Sequence, residues 1–229
     1  MKKIILLAGI ATVALSVNAR AYDWKPYISA KVSASNLNQN TSIRVVYTDE
    51  IQKHNRNSDD SQHVWGTSFA AGIASSPIRV ELEWQRNTAA RMSDTTVYSN
   101  QLFTEIDTQK TKIKTHAYML NAYYDFNTDS RFTPYIGGGI GFAKAKIARA
   151  RYNDDGEIPF FKLTNSHTNI AWQIGAGISY AFNDNIDLDI GYRYIDYGKV
   201  NKQLASRAIT RINDELTANE LYAGIRYSF

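Results

Sequence analysis

The chain has no cysteine in 229 residues, which excludes a disulfide scaffold and any thiolate metal site. It has four prolines and four histidines. After the N-terminus no apolar run approaches the ~18 residues of a membrane helix, and the mean hydropathy is −0.38. A helical membrane protein is excluded, but a membrane barrel is not, because its strands are only half apolar. An excess of one charge is also missing. The formal charge is +4, and it falls to +1 if Lys2, Lys3 and Arg20 leave with an N-terminal segment. The basic balance is therefore no argument for a nucleic-acid partner. Aromatic residues are plentiful, with fifteen Tyr, nine Phe and four Trp, so the chain is not a disordered one.

Residues 1–21 have the form of a targeting signal. Lys2 and Lys3 make a basic start, Ile4 to Val17 an apolar stretch, and Ala19-Arg20-Ala21 a small-residue cleavage site. The expected division is a cleaved signal peptide over 1–21 and one folded unit over 22–229. Export without cysteine points to a bacterial envelope protein.

The remainder alternates with a period of two. Ile78, Val80, Leu82 and Trp84 interleave with Arg79, Glu81, Glu83 and Gln85. A helix would scatter those charges around its circumference, so the segment predicts a strand. Seven other segments behave alike: 24–34, 65–73, 118–126, 136–143, 170–182, 186–194 and 220–229. Several reach the ~9–11 residues of a tilted transmembrane strand, and eight is an allowed strand number.

The connections sort by length. Those at 74–77, 127–133 and 183–185 are short; those around 36–63, 88–114, 147–167 and 197–215 are long. Strict alternation of short and long predicts an all-β, eight-stranded antiparallel transmembrane β-barrel with short periplasmic turns and four long extracellular loops, both termini being periplasmic. The apolar face then carries two aromatic girdles. Trp24, Tyr124, Phe126, Tyr180, Phe182, Tyr227 and Phe229 fall near the periplasmic rim. Trp65, Trp84, Tyr118, Phe142, Trp172, Tyr192 and Tyr194 fall near the other.

The stretches Tyr135-Ile-Gly-Gly-Gly-Ile-Gly-Phe-Ala143, Ile186-Asp-Leu-Asp-Ile-Gly-Tyr-Arg-Tyr-Ile-Asp-Tyr-Gly198 and Leu221-Tyr-Ala-Gly-Ile-Arg-Tyr-Ser-Phe229 resemble the opacity-type and small porin-like eight-stranded outer membrane β-barrel family. The resemblance is strongest over 115–229; the first half matches in layout. It implies an outer-membrane barrel, with adhesion or surface-antigen roles in some members. Tyr227 and Phe229 resemble the C-terminal signal read by the outer-membrane assembly machinery. With nothing following Phe229, no appended peptidoglycan-binding domain is expected.

The polar face gathers Lys31, Arg79, Arg193 and Arg226 against Glu81, Glu83, Asp125, Asp187, Asp189 and Glu220. An eight-stranded barrel leaves room only for side chains, and buried charges must pair. A lumen charge network that plugs the barrel is one reading; a narrow ion path gated by Arg–carboxylate pairs is the other.

No constellation for catalysis emerges, and no catalytic residue, metal ligand or cofactor is expected. Asp187 and Asp189 sit two apart on one strand, but at the end away from any surface substrate. His54, His63, His116 and His167 lack zinc spacing. Ser166 and His167 are adjacent and so point to opposite faces of a strand. Asp59-Asp60 and Asp154-Asp155-Gly156 offer carboxylates for weak calcium binding, but solvated turn residues are the ordinary explanation. Gly137-Gly-Gly-Ile-Gly141 lies within a strand, where its glycines admit crowding rather than a phosphate.

The function expected is a bacterial outer-membrane barrel displaying surface loops for adhesion, ligand contact or envelope structure. The alternative is a narrow small-solute channel. Expected partners are outer-membrane lipid and lipopolysaccharide, whose phosphates Arg86, Arg91, Lys144 and Lys146 are placed to meet, the assembly machinery, and a host or cell-surface ligand reached through the loops.

Overall fold

The computed structural model describes residues 24–47, 53–99, 104–152, 159–205 and 208–229. The expected signal segment 1–21 lies outside them. Every regular element among the described residues is a β-strand: β1 (Lys25–Tyr47), β2 (Lys53–Ser75), β3 (Ile78–Asn87), β4 (Ala90–Ser99), β5 (Thr104–Asp125), β6 (Phe132–Tyr152), β7 (Pro159–Ala181), β8 (Ile186–Ala205) and β9 (Ala208–Ser228). The strands pair antiparallel in the order β3-β2-β1-β9-β8-β7-β6-β5-β4, and a β3–β5 pairing closes the ring. Over the stretch where β2 pairs β3 and β3 pairs β5, closure leaves no edge with unpaired backbone groups, which the hydrocarbon of a bilayer would not tolerate.

β3 and β4 are two parts of one barrel strand, both paired with β5, so the wall has eight strands. Between them Arg86 faces His116 and Ala90 faces Ile113, so four residue steps oppose three. The extra residue is a β-bulge that flips the parity of the strand. Thr88 anchors it: its amide donates to the Trp65 carbonyl at 2.7 Å, and its hydroxyl accepts from the Trp65 amide at 3.1 Å. A second shift lies in β8 between Asp196 and Lys199. There Gly198 adopts φ = +80°, a conformation open to glycine at little cost.

The three short connections are as the sequence places them, closed by side chains that bond their own backbone. Asn183 accepts from the amides of Asn185 and Ile186 at 3.0 and 2.8 Å, the Asx geometry that makes Asn a turn residue. Ser76 donates to Asn127 at 3.0 Å, tying two neighbouring turns together.

The long connections differ from the expectation. Most of 36–63, 88–114, 147–167 and 197–215 is strand. β1 and β2 stay paired out to Val46↔Lys53, β6 and β7 to Tyr152↔Pro159, and β8 and β9 to Ala205↔Ile209. Asp59 and Asp60 belong to β2, whereas Asp154 to Gly156 fall outside the described residues. A strand of 23 residues is about 75 Å long at ~3.3 Å per residue, and a tilt near 40° leaves about 57 Å along the axis. The apolar band of a barrel is only ~25 Å tall. A paired wall about 30 Å high therefore stands beyond the membrane.

Its cause is a reversal in the sign of the alternation. On β5 the outward residues Tyr124, Ala122, Leu120 and Tyr118 give way to His116, Lys114, Lys112 and Lys110. On the inward face Asn121 gives way to Ala117 and Ile113, both buried. β6 passes from Phe142 to Lys144 and Lys146 outside and closes on Ala145 and Ile147 inside; β9 passes from Leu221 to Asn219 outside and closes on Ala218 and Leu216 inside. Leu37, Val64, Ala90, Ala171, Ile195 and Tyr197 complete one apolar cluster. The polar outward residues made these segments look like loops. The buried half of each alternation, at ~1.5–3 kcal/mol per large aliphatic side chain, is what holds them as strands.

Candidate functional site

Two tiers of charge fill the membrane-spanning part of the lumen. The inner tier is built on β3, where Glu81, Glu83 and Gln85 project inward on alternate positions. Glu83 accepts from Arg193 at 2.9 Å on both carboxylate oxygens and from Asn121 at 2.7 Å. Arg193 on β8 also donates through Nε to Glu220 on β9 at 2.7 Å, so its guanidinium bridges two carboxylates. Ser35 donates to Glu220 at 2.6 Å. Lys31 on β1 lies 2.8 Å from Glu81 and 3.6 Å from Glu83, and Glu81 takes the hydroxyls of Tyr27 and Tyr123 at 3.0 and 2.9 Å. Gln85 donates to Gln173, which donates to Asn121 at 2.6 Å. Taking charges out of water costs several kcal/mol each, and this density of donors is what offsets it.

The outer tier faces the short-turn end. Arg79 pairs with Asp125 at 2.8 Å. Arg226 meets Asp187 at 3.1 Å and Asp189 at 3.6 Å, and donates to Ser179 at 2.9 Å. Both Asp187 and Asp189 are thus committed to one arginine, not to each other as an acid pair. A cavity of about 510 Å³ opens below this tier, lined by Lys25, Arg79, Asp125, Asp187, Arg226 and neighbouring serines.

All ten charged residues expected on the polar face point inward, and eight of them are buried. The tyrosines between them were not expected as members. Arg79 lies against both the Tyr123 and Tyr135 rings, 4.9 and 4.8 Å from their centroids, and Arg193 over Tyr222 at 5.1 Å, geometries in which the ring face attracts the cation. The Tyr135 and Tyr222 hydroxyls are 2.9 Å apart. Every one of these tyrosines stands on the inward parity of its strand, so parity was the available signal. Glycines opposite make the room: a Cβ at Gly191 would lie 2.5 Å from the Tyr222 hydroxyl, and one at Gly177 equally close to that of Tyr135. The Gly137–Gly141 run serves the same crowding against Tyr123 and Asn121.

Above the charged tiers the apolar cluster of the projecting wall closes the lumen again. Asn87 donates to the Tyr197 hydroxyl at 3.1 Å, and burial holds that hydroxyl above the usual tyrosine range. Among the described residues no group of three or more His, Asp or Glu side chains is placed to hold a metal ion. Ser166 is exposed and its neighbour His167 half-buried on the other side of the strand.

The outward face is apolar in a band. Trp65, Tyr118, Phe142, Trp172 and Tyr192 are exposed at its upper edge, with Trp84 and Tyr194 half-buried beside them. Tyr124, Phe126, Phe182, Tyr227 and Phe229 are exposed at the lower edge, with Trp24 and Tyr180 half-buried. The rings associate: Tyr124 with Phe126 at 5.2 Å, Phe132 with Tyr180 at 5.0 Å, Tyr227 with Phe229 at 5.2 Å and Trp172 with Tyr194 at 5.5 Å. Aliphatic residues such as Ile174 and Ile190, 60% and 62% exposed, lie between the edges. A contiguous exposed apolar ring of this extent has no place in water.

Comparison with known proteins agrees with that geometry. The outer membrane protein β-barrel domain family matches residues 5–229. The outer membrane protein PagN of Salmonella typhimurium is 30% identical over 220 residues, covering 89% of each chain. The opacity protein opA66 of Neisseria gonorrhoeae is 26% identical over 131 residues, 48% of this chain and 50% of that one. Among solved structures, Neisserial surface protein A superposes with a TM-score of 0.54 at 22% identity, covering 89% of this chain and 97% of that one. OprG of Pseudomonas aeruginosa gives 0.53 at 15% identity over 90% and 96%; both likenesses are of fold. The chain belongs to the outer membrane protein β-barrel domain family, as a closed eight-stranded barrel of the bacterial outer membrane.

Proposed function

We propose that this protein is a surface-display barrel: the apolar band anchors it, and the four long hairpins carry a contact surface for a host or cell-surface ligand. The observation that carries the reading is the projecting wall. A lumen shut by a charge network and again by an apolar cluster leaves the hairpin ends as the part of the molecule accessible to a partner. The same filling argues against the small-solute channel, since a path would have to displace Glu83, Arg193 and Gln173 and then Ile113, Ile195 and Leu216. Conductance across planar bilayers is accordingly expected at the level of protein-free bilayers.

In this reading residues 1–21 are removed after Ala21, and both termini with the three short turns face the periplasm. Tyr227 and Phe229 are recognised by the assembly machinery, and the aromatic edges sit at the two bilayer interfaces. The projection of the paired strands on the side away from the termini and the three short turns supports that orientation.

The test is an epitope tag inserted at 48–52, between β1 and β2. Antibody access on intact cells is the expected result, and access only after lysis overturns the orientation. Cells carrying hairpins shortened in register pairs, for example 38–61 removed as a unit, should keep the barrel and lose ligand or host-surface binding. Binding that survives shortening of all four hairpins overturns the display reading.

A further inference from the structure

The outward face just beyond the apolar band differs around the barrel. On the arc β3–β6 it carries Arg86, Arg91, Lys112, Lys114, Lys144 and Lys146, all exposed. Register arranges them in rows: Arg86, His116 and Lys144 in the first, Lys114 and Lys146 in the second, Arg91 and Lys112 in the third. Rows are about 6.6 Å apart along the strands and neighbouring strands about 4.8 Å apart. None of the six forms an ion pair with a described carboxylate. The opposite arc is neutral or acidic at the same level, with Asn36 and Asn38 on β1, Thr217 and Asn219 on β9, and Asp196 on β8; its Lys199 is paired with Glu215 at 3.4 Å.

So many cations on one sheet face repel one another, and the outward positions of these three rows carry no acid. Burial first, then the neighbouring Arg86, Lys114 and Lys144, hold the His116 imidazole below its usual range, a sign of the positive field there. The position is informative as well. The first row stands one outward residue above Trp84, Tyr118 and Phe142, which is the depth of the headgroups once those rings mark the interface. A patch serving a distant soluble polymer would have no reason to begin at the edge of the lipid band.

We propose that this arc is a binding site for the phosphate groups of a phosphorylated glycolipid in the leaflet it meets. Arg86 and Lys144 take the phosphates nearest the acyl chains, and Lys114, Lys146, Lys112 and Arg91 those further out. The barrel would then hold a preferred lipid on one side and leave the other free. The proposal rests on the long hairpins being extracellular, which the tag experiment tests separately, on cells and with no lipid added.

Its own test uses the full barrel folded in zwitterionic micelles and titrated with bisphosphorylated lipid A, read by tryptophan fluorescence. The wild type should bind, and the Lys114→Gln/Lys144→Gln/Lys146→Gln variant should bind about a hundredfold more weakly, given the attraction of each lysine to an anionic surface. Lys199→Gln, on the opposite arc, should bind like the wild type. Enzymatically dephosphorylated lipid A should bind the wild type as weakly as the triple variant binds the intact lipid. Equal affinity for both lipids overturns the proposal without any variant. An unaffected triple variant overturns it too, as does heparin binding through these lysines with no binding of lipid A.

Discussion

The membrane half of the wall and the half that projects beyond it are continuous strands with opposite cross-sections. Below the upper aromatic edge, β5 shows Leu120 to lipid and Asn121 to the lumen; above it, the same strand shows Lys114 to solvent and Ile113 to the lumen. Along β5 the strand runs through the boundary without a break. What changes is the medium outside, and the pattern follows it: apolar residues face whichever side is dry. The lower lumen must then satisfy buried charges, whereas the upper lumen packs like the interior of a soluble barrel.

The largest expected effect comes from breaking the lower lumen. Glu83→Ala removes the carboxylate shared by Arg193, Lys31 and Asn121 and leaves Arg193 with Glu220 alone and Lys31 with Glu81 alone, one buried positive charge in excess. A loss of about 3–5 kcal/mol is expected, read as the urea midpoint of the barrel in vesicles. A loss below about 1 kcal/mol would mean that water already solvates this tier.

Breaking the upper lumen should cost somewhat less. Leu216→Ala, in the dry cluster, should cost about 2–5 kcal/mol locally. The visible consequence is faster tryptic cleavage at Lys110, Lys112 and Lys114, with the lower strands still protected. Coincident loss of both halves would show one cooperative unit and erase the contrast.

Swapping surface character sharpens it. Ile190→Arg puts a charge on the lipid face well inside the band and should cost about 2–4 kcal/mol. Lys146→Ile, the reverse change above the boundary, should lie within about 0.5 kcal/mol of zero. Similar costs at the two sites would displace the boundary.

The smallest effect is that of pH at the boundary itself. His116 has its folded pKa lowered below 6.5, so its charged form is disfavoured in the fold. Its contribution to stability is fully present above pH 6.5 and is lost as pH falls from there through the folded pKa. NMR titration of His116 should show the depressed value, and Lys144→Gln should raise it; a shift in the opposite direction contradicts the positive field.

Much of the barrel was legible from alternation. Arg79 to Gln85 and their apolar partners fixed a strand and both its faces, and the same parity carried the lumen charges from Lys31 to Arg226. Most of the projecting wall was not legible, because Asn36, Asn38 and Thr217 look like loop residues when apolar-out is the expected sign. The bulge at 87–89 was also hidden, since one added residue moves Arg91 to the outward face against simple parity. Partners within the lumen were not legible either: that Glu83 meets Arg193, 110 positions away, depends on the ring closing in one register.

By itself the sequence determined a strand repeat, eight passes, and alternating short and long connections, because side chains on a strand must alternate and a bilayer sets the span. The tertiary structure alone decided which charges meet, where the lumen turns from polar to apolar, and which arc of the wall is cationic. Those depend on stagger and closure, which bring residues from distant strands to one height, and no local pattern encodes a height.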